Sequence, residues 1–189
     1  MYLRKTALAL TAALAFASAA CGASQTTEGN APPPTATAAQ QSTATPAVTS
    51  SAPAVSEALR FKVGTVGGDP FDGAQLAGKP AVLWFWAAWC PKCRAAADGV
   101  AAAQREYAGR VQFVGVAGLG SGKPQMARFV TDTGVAAFPH LSDDEGAVWQ
   151  KFGVTTQEYY VLIDSTGTIV HKGPLTESEL REKLAALAA

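Results

Sequence analysis

Two cysteines lie where a long apolar run of this chain gives way to an alanine-rich segment, and this junction restricts the possible folds most. Residues 80–86 are apolar throughout, as expected of a β-strand that is buried on both faces of a sheet. The segment after them predicts a helix over residues 91–107, with Pro91 in the first turn, where a missing N–H costs nothing. Cys90 and Cys93 are therefore expected on one side of the first helical turn, close enough to form a disulfide.

The start of a helix favours the ionised form of a cysteine. Unpaired backbone N–H groups and the helix dipole stabilise negative charge there, and Lys92 adds a positive charge nearby. We therefore expect Cys90 to be an exposed thiolate at the helix end, with Cys93 behind it. Because a thiolate is the attacking species in disulfide exchange, Cys90 is the predicted nucleophile and Cys93 the predicted resolving residue. A stable thiolate favours an oxidising disulfide, but two intervening residues do not decide the direction of electron transfer.

The remaining sequence of residues 57–189 alternates strand and helix patterns. Strands are predicted at residues 61–66, 111–116, 159–163 and 168–170. Helices are predicted at residues 124–133, from Asp143 through Phe152, and after a capping box at residues 176–179. This order predicts one α/β domain in which a central sheet is covered by helices on both faces.

The N-terminal third of the chain has the pattern of an export signal followed by a tether. Arg4 and Lys5 precede an uncharged run that ends in small residues and is shorter than the roughly 20 residues needed to cross a bilayer. We interpret residues 1–20 as a cleaved signal peptide. Residues 22–56 contain no Leu, Ile, Phe, Met, Trp or Tyr and only one charge, so they predict a disordered tether.

Cys21 follows two alanines and precedes a glycine, which resembles the lipid-attachment site of a bacterial lipoprotein. Ordinary signal-peptide cleavage near residues 17–19 is the alternative. The cysteine count favours acylation, because it leaves Cys90 and Cys93 as an even pair in an oxidising compartment. We therefore expect a lipid anchor and tether at residues 21–56 and an exported protein on the extracytoplasmic face of the bacterial membrane.

The charges of the chain exclude a nucleic-acid-binding protein. Its 15 basic side chains are balanced by 15 acidic ones, and the sequence has no cluster of Lys and Arg that would bind phosphates. Charged residues make up 16% of the chain, below the roughly 25% of an ordinary globular protein. This low fraction agrees with a non-globular N-terminal segment.

The residues around the cysteines resemble the active site of thioredoxin-fold proteins. Residues 78–80 and the Phe-Trp-Ala-x-Trp-Cys-Pro stretch at residues 85–91 are most similar to the TlpA/DsbE-like branch of exported thiol-disulfide oxidoreductases. Residues 152–154 and 162–167 fit the second half of that family. The resemblance implies a thioredoxin-like fold over residues 57–189. It also implies thiol-disulfide exchange on exported cysteine-containing proteins or cytochrome precursors, a membrane redox partner, and no cofactor or metal.

The resemblance also assigns further residues to the site. Those expected to tune the dithiol or dock the substrate are Trp89, Pro91, Lys92, Thr156, Gln157 and Glu158. Members of the family usually carry a cis-proline where this chain has Glu158, and a cis bond before a non-proline costs about 2.5–4 kcal/mol, so we expect a trans bond and a reshaped loop. Ala96 stands where the branch often has an acid. Glu158 either brings a replacement carboxylate to the sulfurs or is a solvated loop residue.

Metal binding is the principal alternative function. One CxxC pair offers two thiolates, whereas a structural zinc ion needs four ligands, and Arg94 in place of a histidine excludes haem attachment. A copper carrier would recruit His140 or His171, which are otherwise solitary histidines with surface or core roles. A non-catalytic thioredoxin-fold lipoprotein that binds a partner is the other alternative, and the missing proline favours it.

Overall fold

The computed structural model describes residues 55–189, which form strands β1–β7 and helices α1–α4. Their bounds are Lys62–Gly64 (β1), Pro70–Asp72 (β2), Ala81–Trp86 (β3), Pro91–Glu106 (α1), Gln112–Ala117 (β4), Lys123–Asp132 (α2), His140–Ser142 (β5), Ala147–Lys151 (α3), Tyr159–Ile163 (β6), Ile169–Gly173 (β7) and Glu177–Leu187 (α4). The predicted signal peptide, Cys21 and nearly all of the predicted tether lie outside the described residues. In residues 55–189 no helix has the length and apolar character needed to cross a membrane.

Five strands form a mixed sheet in the order β5-β4-β3-β6-β7. Strands β3, β4 and β5 run parallel, whereas β6 is antiparallel to β3 and β7 is antiparallel to β6. Every residue of β3 is buried, as its continuous apolar sequence predicts for the central strand. The short strands β1 and β2 form a separate antiparallel pair.

Alternate residues of β3 point to opposite faces of the sheet, and each face has its own buried cluster. Val82, Trp84 and Trp86 pack with residues of α1, α2 and α4. Leu83 and Phe85 pack with residues of α3 on the other face. Helices therefore cover both faces of a mixed sheet, and the predicted α/β fold is confirmed.

Most predicted elements agree with the structure, two differ in their bounds, and the short strands β2 and β5 were not predicted. Helix α3 begins at Ala147 rather than at Asp143, because the left-handed Gly146 precedes it. The Asp143 carboxylate nevertheless accepts the N–H groups of Val148 at 2.8 Å and Trp149 at 3.0 Å, so it stabilises this helix from outside. The strand predicted at residues 61–66 is shorter and pairs with β2, while Thr65 forms a single antiparallel bridge with Leu141 of β5.

Candidate active site

The two sulfurs lie at the N-terminus of α1, directly after the buried strand β3. Cys90 is the N-cap residue of the helix, and its Sγ accepts the backbone N–H of Cys93 at 3.1 Å. Pro91 occupies the first turn, as its missing N–H predicts. The Cys90 sulfur therefore lies at the N-terminus of α1 with a backbone N–H group directed at it.

Both cysteines are free thiols and both are buried. Cys90 is only 2% exposed, so the expectation that it is exposed at the helix end is wrong. The reason is its capping role, since a side chain that accepts an N–H of the first turn folds back over the helix. Trp89, the residue before it, is the exposed one, at 55%.

Cys93 lies in the first turn of α1 and is completely buried. Burial raises the pKa of the Cys93 thiol far above its usual range, and the hydrogen bond with Cys90 and the negative charge of Glu158 act in the same direction. Cys93 is therefore a neutral thiol at neutral pH and must lose its proton before it can attack a disulfide.

Glu158 immediately precedes β6, and its carboxylate is held against the sheet. One oxygen accepts the Tyr160 hydroxyl at 2.6 Å and the other accepts the Trp84 indole N–H at 3.2 Å. Its backbone is left-handed, with φ 56°, which is uncommon for a residue other than glycine. No peptide bond in the part of the chain that the structure describes is cis, so the expected trans bond between Gln157 and Glu158 is confirmed. Glu158 is half-buried, and both of its carboxylate oxygens are hydrogen-bonded to the protein.

Burial raises the pKa of the Glu158 carboxyl above its ordinary value. Hydrogen bonds from Tyr160 and Trp84 oppose this rise, as do the nearby Cys93 thiol and the positive charge of Lys92. The carboxyl is thus more basic than an exposed glutamate, and the Cys93 thiol is one of the groups beside it.

A cavity of about 330 Å³ adjoins this carboxyl. Among the side chains that line it are Lys92, Ala96, Glu158, Tyr160 and Glu177. Lys92 is exposed on the first turn of α1, and Glu177 is exposed at the start of α4. On the side away from the core, the Glu158 carboxyl therefore borders a cavity that is open to solvent.

Trp89 and Leu119 form an exposed apolar patch beside Cys90, called here the Trp89 surface. The Trp89 indole N–H donates to the Leu119 carbonyl at 3.0 Å, and Leu119 is itself exposed in a left-handed conformation, with φ 58°. Arg94 and Arg128 line the adjoining groove with Trp89. This contribution of Leu119 was not predicted from the sequence, although the glycines on both sides of it signal an irregular loop.

Residues 118–122, which carry Leu119, are fixed by specific hydrogen bonds. The Ser121 hydroxyl accepts the Ala88 N–H at 2.9 Å and donates to the Gly118 carbonyl at 2.6 Å. The Asp144 carboxylate accepts the N–H groups of Ser121 and Gly122 at 2.9 and 2.8 Å. These hydrogen bonds therefore hold the loop in one conformation beside the segment that leads into Cys90.

The other predicted site residues lie nearby with less defined contacts. Lys92 shares a cavity with Glu158, whereas Thr156 is exposed and Gln157 is half-buried on the loop that leads to Glu158. The structure thus brings Cys93, Lys92 and Glu158 together on one side of the dithiol.

The two histidines do not join the cysteines. His140 is buried on β5, where its Nδ1 accepts the Trp86 indole N–H at 3.2 Å and its Nε2 donates to the Val135 carbonyl at 2.9 Å. Burial lowers the pKa of His140 to about 4, so it is neutral and structural. His171 lies on β7 and lines a different cavity. Across residues 55–189 no three His, Cys, Asp or Glu side chains cluster to hold a metal ion, and the copper-carrier alternative gains no support.

Comparison with known proteins agrees with this geometry. The model of the AhpC/TSA family matches residues 54–172. The chain belongs to the AhpC/TSA family. A relative of this AhpC/TSA-family chain, the soluble secreted antigen MPT53 of Mycobacterium tuberculosis, is 39% identical over 143 residues, which cover 72% of this chain and 79% of MPT53.

Two solved structures extend the comparison to the fold. MTB DsbF is 41% identical, with a TM-score of 0.67, and covers 71% of this chain and 99% of its own. A secreted Mycobacterium tuberculosis disulfide oxidoreductase homologous to E. coli DsbE is 36% identical, with a TM-score of 0.63, and covers 69% of this chain and 98% of its own. This AhpC/TSA-family protein is a thioredoxin-fold thiol-disulfide oxidoreductase, and the family predicted from the sequence is confirmed.

Proposed function

We propose that Cys90 and Cys93 are the redox-active dithiol, with Cys90 as the nucleophile and Cys93 as the resolving residue. The observation that carries this proposal is the N-cap geometry, in which the Cys90 Sγ accepts the Cys93 N–H at 3.1 Å. A helix N-terminus that donates to sulfur stabilises the thiolate, which is the attacking species. Cys93, buried and kept neutral by its raised pKa, does not compete for the first attack.

Exchange takes two steps in which electrons and protons balance. The Cys90 thiolate attacks one sulfur of a substrate disulfide, forms a mixed disulfide and releases the first substrate thiolate. Cys93 then loses its proton and attacks the Cys90 sulfur, which closes the Cys90–Cys93 disulfide and releases the second substrate thiolate. Two electrons pass from the protein dithiol to the substrate, and a substrate dithiol drives the same steps in reverse.

The proposed substrates are exported cysteine-containing proteins or cytochrome precursors. A membrane redox partner returns the dithiol to its starting redox state. The Trp89 surface supports docking of a polypeptide, since it offers exposed apolar area beside the nucleophile and two arginines at its edge. The remaining residues assigned to tuning or docking are Pro91, Lys92, Thr156 and Gln157.

Replacing Cys93 by serine is expected to trap these substrates. The Cys93→Ser chain attacks through Cys90 but cannot resolve the mixed disulfide, so exported proteins should accumulate in covalent complexes that are released by dithiothreitol. Non-reducing electrophoresis and mass spectrometry of the extracytoplasmic fraction measure this. Adding Trp89→Ala should lower the yield of trapped proteins about tenfold without affecting the reaction with a small disulfide. Absence of complexes with exported proteins, while a small disulfide still reacts, would contradict the proposed substrates.

We also propose that Cys21 is acylated after cleavage of residues 1–20, which anchors the chain to the extracytoplasmic face of the membrane. The expected mature N-terminus is a lipid-modified Cys21, detectable by mass spectrometry of the chain expressed in an exporting bacterium. A Cys21→Ser chain should shift from the membrane fraction to the soluble extracytoplasmic fraction, because its anchor is lost. A mature wild-type chain that starts beyond Cys21, or carries no acyl group, would overturn the proposal.

A further inference from the structure

The resolving step of the proposed function requires a base, because a buried and neutral Cys93 must lose a proton before it attacks. The groups that face the Cys93 sulfur are the Cys90 sulfur, the Tyr160 hydroxyl and the Glu158 carboxyl. Burial and the neighbouring Glu158 charge raise the pKa of Tyr160 above its usual range, so this hydroxyl stays protonated. Cys90 is already bonded to substrate at this stage. Among the described residues, the Glu158 carboxyl is the remaining acceptor.

We propose that Glu158 is the catalytic proton acceptor of the resolving step. This inference rests on the proposed function and assigns a residue to it. When Cys93 attacks the mixed disulfide at Cys90, its proton passes to the Glu158 carboxylate, the new Cys90–Cys93 bond forms, and the substrate sulfur leaves with the electron pair. In the reverse reaction, Cys93 leaves as a thiolate and takes the proton back from Glu158.

The fold holds the Glu158 carboxylate in a defined position beside the first turn of α1. Trp84 of β3 and Tyr160 of β6 are register partners, so their side chains share the face of the sheet that packs against α1. Glu158 precedes Tyr160 by two residues, and its left-handed backbone allows the carboxylate to receive donors from both. Each oxygen is thus fixed by one donor, and the carboxylate faces the first turn of α1.

The surroundings of Glu158 suit a group that must both gain and lose a proton. Lys92 and Cys93 face it from α1 and Tyr160 from β6, and Glu177 of α4 lines the same cavity. The cavity of about 330 Å³ borders Glu158 and Lys92, which gives the proton a route to solvent once the disulfide has closed. Glu177 is bonded to Arg181 at 3.2 Å rather than to any member of the site.

The two steps can be timed separately with Ellman's reagent. Cys90 attack releases one thionitrobenzoate ion, and Cys93 attack on the resulting mixed disulfide releases a second, so two absorbance phases are expected. The test uses the full chain with Cys21→Ser in every variant, which removes the third thiol. Glu158→Gln is expected to slow the second phase about 100-fold below neutral pH, in the range that a positioned base contributes. The first phase should change less than threefold.

The pH dependence separates proton transfer from a purely structural role. In the wild type, the second-phase rate should rise as Glu158 deprotonates and then level off. In Glu158→Gln it should rise tenfold per pH unit throughout, because Cys93 then ionises only to solvent. Tyr160→Phe should move the wild-type midpoint to higher pH, since the lost hydrogen bond is one that lowers the pKa of Glu158.

Glu177→Gln is the matched control, since it makes the same chemical change at another glutamate that lines the same cavity. Its two phases should match those of the wild type. An unchanged second phase in Glu158→Gln, or a slower one with the wild-type pH profile, overturns the assignment of Glu158 and leaves the dithiol chemistry standing. Release of fewer than two thionitrobenzoate ions per wild-type chain overturns the proposed function itself.

Discussion

Replacing Cys90 by serine is expected to lower the rate of disulfide exchange by about a thousand-fold or more, while the domain stays folded. A hydroxyl cannot form the mixed disulfide, and Cys93 cannot take over because its raised pKa keeps the thiol protonated. Serine is a preferred N-cap residue, so the cap of α1 that Cys90 provides is preserved or improved. The turbidity of insulin during its reduction by dithiothreitol measures one direction of exchange, and oxidation of reduced hirudin measures the other.

The control for this loss is Cys21→Ser, which removes a cysteine that the proposed mechanism does not use. It should keep the wild-type rate in both assays, whereas Cys90→Ser should give the rate of the uncatalysed reaction. Equal thermal stability of the two variants would show that the loss is chemical. If Cys90→Ser retained the wild-type rate, the exchange would not proceed through the Cys90 sulfur, and the proposed roles of both cysteines would have to be abandoned.

The elements that carry the dithiol were predictable because their signals are local. The apolar run of β3, the proline in the first turn of α1 and the CxxC spacing lie within a few residues of each other. The capping box of α4 is local in the same way, with Thr176 and Glu179 exchanging hydrogen bonds as predicted. Short strands such as β2 and β5, with three residues each, have too few positions for an alternating pattern to be recognised.

The contacts that define the site were less predictable, because they join distant parts of the chain. The hydrogen bond between Trp84 and Glu158 spans 74 positions, and the one between Trp89 and Leu119 spans 30. Sequence alone left Glu158 open between two roles, since its environment depends on the pairing of β3 with β6. The burial of Cys90 was missed for another reason, as it depends on how one side chain folds over the helix end.

Gly115, in the middle of β4, lies where the side chains of His140 and Trp86 come close to the strand backbone. Its register partner on β5 is His140, and a Cβ atom at Gly115 would overlap the His140 imidazole and lie 2.8 Å from the Trp86 indole nitrogen. These two groups share the buried hydrogen bond of 3.2 Å, and Trp86 stacks on Phe129 at 4.2 Å between ring centroids. All of these side chains are buried, so none can move toward solvent to make room.

Gly115→Ala is therefore expected to lower the free energy of unfolding by about 3 kcal/mol, the sum of overpacking and a strained or broken buried hydrogen bond. Gly64→Ala is the matched control, because a Cβ atom there meets no atom within 4 Å and Gly64 is also a strand residue. It should change the free energy of unfolding by less than about 0.5 kcal/mol. Urea unfolding followed by tryptophan fluorescence measures both. An equal loss of unfolding free energy in the two variants would contradict this explanation. It would mean that the alanine side chain acts through the strand backbone and not through the close packing of Trp86 and His140 over β4.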